Sequence, residues 1–85
     1  MTTEQVREEL KKHGFDPDQH PRRVDTVTRA LRALGFQEEL VHGEGYFYFS
    51  KGEASTWRES GVYVYRLGSL TLTEWIRERI VLAEG

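Results

Sequence analysis

Cysteine is missing from the sequence, and its 85 residues include only two prolines and one methionine. Without thiols no disulfide can staple the fold, and a reducing, cytoplasmic compartment suits such a chain. His13, His20 and His42 do not have the spacing of a paired helical metal site, so neither a metal nor any other cofactor is expected. No apolar run is long enough to span a membrane. Met1 leads straight into Thr2, Thr3, Glu4 and Gln5, without the basic and apolar segments of a secretion signal. Neither sign of charge dominates, because 12 Lys+Arg stand against 14 Asp+Glu for a net charge of -2. That balance suits neither a basic nucleic-acid binder nor a strongly acidic mimic of DNA.

What the chain does have is aromatic area: two tryptophans, four tyrosines and four phenylalanines. In so short a chain these residues supply much of what a core or a binding patch can bury. Packing alone must hold residues 1–85, which read as a single compact domain with no linker-like or low-complexity segment.

Thr2, with Gln5 three residues on, predicts a capped first helix with Val6 and Leu10 on one face. Gly14 ends it, and Asp16 to Pro21 reads as a short elbow. From Arg22 to Leu34, Val24, Val27, Leu31 and Leu34 recur at helical steps. Both helix ends place a glycine and then a phenylalanine after a leucine (Leu10, Gly14, Phe15; Leu31, Gly35, Phe36), the chemistry of a left-handed C-terminal cap.

Beyond Phe36 the pattern turns to short β-type runs. Gln37 to His42 and Gly45 to Ser50 read as a hairpin, with Gly43 suited to the first position of a type II′ turn. After the polar stretch Lys51 to Gly61, the run Val62 to Leu67 reads as a third antiparallel strand. Thr71 and Glu74 then cap a last helix with Leu72, Trp75, Ile76, Ile80 and Ala83 on one face. The predicted fold class is α+β, in the order ααβββα, with a three-stranded antiparallel sheet packed against helices.

Side chains alternate faces along a strand, so pairing Phe49 with Val62 and Phe47 with Val64 puts phenylalanine and valine on one side. Tyr46, Tyr48, Tyr63 and Tyr65 then share the other, with Leu67. Three helices can cover one face, which leaves the tyrosines either as a platform for a protein partner or for stacking bases, or as the rim of the core. Trp57, in the polar connection, reads equally as a loop anchor for binding or as a roof folded onto the sheet.

Arg22, Asp25, Arg29 and Arg32 form a stripe opposite the apolar one on the second helix, with Arg23 nearby. Pro21 to Ser50, an arginine-bearing helix followed by a glycine turn and two strands, resembles the recognition helix and wing of winged-helix DNA-binding domains. The elbow Asp16 to His20 is too short for that family's middle helix. This resemblance implies arginine contacts with phosphates and base edges; a solvated charged face is the alternative. Gly45-Tyr46-Phe47-Tyr48-Phe49, then Trp57, Val62-Tyr63-Val64-Tyr65 and Leu70-Thr71-Leu72, is similar to small proteins of bacterial phages and mobile elements. That resemblance implies a bacterial accessory protein, and by association an inhibitor of host defence such as an anti-CRISPR protein.

No catalytic residues are assigned. Gly43-Glu44-Gly45 is too short for a phosphate loop, there is no nucleophile elbow, and Ser50, Ser55, Ser60 and Ser69 fall in turns. The pairs Glu8-Glu9 and Glu38-Glu39 point to different sides of their elements and so do not read as an acid/base pair. The leading expectation is a non-enzymatic protein-binding module using the tyrosines and Trp57. A DNA binder using Arg22, Arg23, Arg29 and Arg32 is the alternative.

Overall fold

A threonine opens both terminal helices. In the computed structural model, which describes residues 1–85, the Thr2 hydroxyl accepts from the Gln5 amide and the Thr2 amide donates to the Gln5 side-chain oxygen in return, starting α1 (Thr3–Lys12). Thr71 and Glu74 do the same for α3 (Leu72–Glu84). These reciprocal bonds satisfy amides that a helix start otherwise leaves without partners. α2 (Val24–Ala33) has no such side-chain cap.

The ends of α1 and α2 are alike, as the sequence predicts. Gly14 and Gly35 take positive φ (83° and 91°). The Phe15 and Phe36 amides reach back to the Leu10 and Leu31 carbonyls, each at 2.9 Å. This closes each helix with a left-handed cap.

β1 (Glu39–His42), β2 (Phe47–Ser50) and β3 (Gly61–Val62) form an antiparallel sheet in the order β1-β2-β3. The architecture is therefore α+β in the order ααβββα. Leu40, Phe47, Phe49 and Val62 turn to one side and join Val6, Leu10, Val27, Leu31, Trp75 and Ile76 in the core. α2 lies against β1, and α3 packs on both α1 and α2. Phe47 meets Trp75 edge-on, with ring centroids 5.4 Å apart.

The register differs from the expected one. Phe47, not Phe49, pairs with Val62, and Tyr48 pairs with Gly61. This two-residue slip keeps phenylalanine and valine on the core side, because side chains alternate with period two. It also carries Val64 and Tyr65 past the start of β2, where only the hairpin turn lies opposite, so β3 ends at Val62. In that turn the left-handed residue is Gly45 (φ 79°), not Gly43. Leu67 is not on the tyrosine side. It is buried in a 3-10 turn, and its carbonyl accepts from Trp75 Nε1 at 2.9 Å.

The elbow joins the two ends of the fold. Pro17 is buried, and its carbonyl accepts from the Thr73 amide (3.1 Å) and hydroxyl (2.8 Å). The Gln19 carbonyl accepts from the Leu72 amide at 2.8 Å. The first turn of α3 is thus hydrogen-bonded by the chain that precedes α2.

An ion pair sits inside the core. Glu38 is 0% and Arg79 7% exposed. Arg79 Nε donates to Glu38 Oε1 at 2.5 Å, and the Glu53 amide donates to Glu38 Oε2 at 2.8 Å. The guanidinium lies 4.2 Å from the Phe36 ring centroid and 5.1 Å from that of Trp57. Its outer edge reaches Glu53 at 3.3 Å. Gly52 belongs to the same enclosure: a Cβ there would stand 2.2 Å from Glu38 Oε2, so only hydrogen fits. Burial pushes the Glu38 carboxyl up, but the hydrogen bonds from Arg79 and the Glu53 amide, with the Arg79 charge, more than offset it and hold the group below its ordinary value.

Candidate functional site

The outer face of the sheet has no helix over it. Val41 and Tyr48 are cross-strand partners on this face and are half-buried. Tyr46, just ahead of β2, is half-buried beside them, and Tyr63, just past β3, is 70% exposed. Tyr46 is the middle ring of the group, 5.9 Å from Tyr48 and 5.6 Å from Tyr63, stacked on the latter at 23°.

Two glycines let the rings lie close to the backbone. A Cβ at Gly43 would stand 2.8 Å from the Tyr46 ring, and one at Gly61 would stand 2.8 Å from the Tyr63 hydroxyl. Gly61 is also the cross-strand partner of Tyr48, so the missing side chain leaves a hollow that Tyr63 covers.

Glu59 completes the cluster. Its Oε1 accepts from the Ser60 and Gly61 amides, both at 2.9 Å, while Oε2 accepts from the Tyr63 hydroxyl at 3.1 Å. The Gly61 amide, then the Tyr63 hydroxyl and the Ser60 amide, hold the Glu59 carboxyl below its ordinary value. The hydrogen bond to Glu59, and then its charge, push the Tyr63 phenol up from 10.0. A Glu59→Gln substitution therefore lowers the Tyr63 pKa toward that ordinary value, a change that ultraviolet titration of the phenolate measures directly.

Of the five residues expected to share one surface, the structure brings together Tyr46, Tyr48 and Tyr63. Tyr65 is 85% exposed and lines a different pocket with His42, Phe47 and Arg66. Trp57 is half-buried on the core side, edge-on to Phe49 with centroids 6.0 Å apart, and it faces Arg79. It roofs the sheet from beneath, the second of its two expected roles. Glu59 and Gly61 were not singled out from the sequence. The available signal was an acid followed by two small residues, whose amides a carboxylate can accept from locally.

The four arginines of the DNA alternative are exposed. Arg32 donates to the Glu38 carbonyl, and Arg29 stands 3.8 Å from Asp25. The His, Asp and Glu side chains nowhere converge in a group of three that could hold a metal ion. No helix is long and apolar enough to cross a membrane. Comparison with known proteins gives no match to a family model, a curated protein or a solved structure.

Proposed function

We propose that this chain is a non-enzymatic protein-binding module whose contact surface is the outer face of the sheet, centred on Tyr46, Tyr48 and Tyr63. The observation that carries this reading is the cluster of three tyrosine rings on the sheet face away from the core, with Tyr46 stacked on Tyr63 and tilted against Tyr48. Tyrosine presents a large, rigid, amphipathic surface and loses little conformational entropy on contact, so a few such residues dominate interfaces of modest area. Here the rings are already positioned by Gly43, Gly61 and Glu59, which lowers the ordering cost of binding.

The resemblance of Gly45 to Leu72 to small proteins of phages and mobile elements makes a bacterial complex the first partner to seek, with inhibition of a defence complex as the corresponding role. The DNA-binding reading stands second, since Arg32 and Arg29 already have partners within the chain.

Affinity capture from a bacterial lysate identifies the partner, and calorimetric titration then measures its affinity. Tyr48→Ala or Tyr63→Ala is expected to weaken binding by about 2 kcal/mol or more while circular dichroism shows an intact fold. Unchanged affinity in both variants would remove the tyrosine face as the interface. Submicromolar binding to duplex DNA near 150 mM salt, lost in an Arg29→Ala/Arg32→Ala double variant, would put the second reading first.

A further inference from the structure

A second concavity lies on the other side of the hairpin, between the start of α2 and the segment that follows β3. Its volume is about 400 Å³, in the range of small-molecule sites. Phe47, only 2% exposed, lies at its base with Val24 and Leu67. His42 stacks on Phe47 at 4.5 Å and 14°, and the exposed Tyr65 ring also lines the opening. The remaining lining residues are Arg22 and Arg66.

The charges make this concavity distinctive. Arg7, Arg29, Arg32, Arg77 and Arg79 each have an acidic or carbonyl partner within the chain. Four arginines, Arg22, Arg23, Arg58 and Arg66, have no such partner; two of these four, Arg22 and Arg66, line the pocket, and no carboxylate does. In a chain of net charge -2, two arginines without an acidic partner thus line one apolar, aromatic concavity. Guanidinium groups recognise phosphate and carboxylate through paired, charge-assisted hydrogen bonds, and their flat faces, like those of His42 and Tyr65, favour planar groups.

We infer that this pocket binds a small aromatic anion, with its ring against His42 and Tyr65 and its phosphate or carboxylate on Arg22 and Arg66. The same chemistry is offered by a phosphotyrosine side chain of a protein and by a free mononucleotide. Both sources are tested.

The experiment is titration of the ¹⁵N-labelled protein with phenyl phosphate, a phosphotyrosine tripeptide, adenosine monophosphate and inorganic phosphate, followed by amide chemical shifts. Saturable shifts at His42, Phe47, Tyr65 and Arg66 are expected for at least one aromatic probe, with a Kd of ~1 mM or tighter. The tighter of the tripeptide and the nucleotide identifies the source. In an Arg22→Gln/Arg66→Gln double variant the affinity should fall about tenfold or more. Both substituted side chains are exposed, so the fold survives and the spectrum reports binding alone. Inorganic phosphate binding as tightly as phenyl phosphate would overturn the role of the aromatic walls. Shifts confined to other surfaces, no saturable binding of any probe, or undiminished affinity in the double variant would overturn the site.

Discussion

Replacing Arg79 with methionine is expected to destabilise the protein by about 3–5 kcal/mol in urea melts, the cost of leaving a buried charge without its partner. The apolar stem is kept, so what is lost is the guanidinium that donates to Glu38 and lies against Phe36 and Trp57. Glu38 would retain one donor, the Glu53 amide. A Glu38→Gln/Arg79→Met double variant is expected to recover most of the loss, because it removes the stranded charge and keeps an acceptor for that amide.

The pH dependence separates this account from simple loss of packing. In the native protein the Glu38 carboxyl is held below its unfolded value, so its contribution is full above the ordinary carboxylate range and is lost as pH falls through the lowered value. Asp18, held down by its hydrogen bond from Arg7, acts in the same direction. In Arg79→Met the sign at Glu38 reverses: burial without a cation raises the carboxyl, so the variant gains stability as pH falls toward the acid range. Melts at pH 7 and pH 5 reveal this as a difference between native and variant that narrows on acidification. A constant difference, or a loss below about 1 kcal/mol, would mean that the pair is not a buried charge partnership.

Phe47→Ala and Phe49→Ala are each expected to cost about 3–5 kcal/mol, since both empty a filled part of the core. Phe47 is edge-on to Trp75 and Phe49 edge-on to Trp57, and each is 2% exposed. A small domain has roughly 5–15 kcal/mol in total, so either change removes a large share of its stability. Tyr46→Ala and Tyr48→Ala remove half-buried rings from the uncovered face and should cost clearly less. The reverse order in urea melts would mean that the two faces of the sheet are interchanged.

Local chemistry in the sequence reads directly onto the helices. Thr2 with Gln5, Thr71 with Glu74, and Gly14 and Gly35 after their leucines all act through neighbours within a few residues, and each does so in the fold. The sheet shows where that legibility stops. Alternation separates phenylalanine from tyrosine but is blind to a two-residue slip, because both registers bury the same side chains. Choosing between them requires knowing that Gly61 lies opposite Tyr48, a tertiary fact. The slip in turn takes Tyr65 away from the other tyrosines.

Arg79 was legible in part. It lies three residues after Ile76 and four after Trp75, on the apolar stripe of α3, where a cation needs a buried partner. Nothing local names that partner, because Glu38 lies 41 residues earlier and faces the core from the approach to β1. Trp57 was ambiguous for a similar reason. Its polar neighbours say nothing of the Phe49 ring and the guanidinium on which it rests.

The carbonyls of Pro17 and Gln19 also bear on the motions of the protein. The opening amides of a helix ordinarily have no acceptor in the chain, so helix starts fray into water. Here the Leu72 and Thr73 amides are held by a segment more than fifty residues earlier. The start of α3 therefore cannot open alone. Releasing its first turn also breaks the bonds to the elbow, so the Leu72 and Thr73 amides are expected to exchange with solvent as slowly as those of the core.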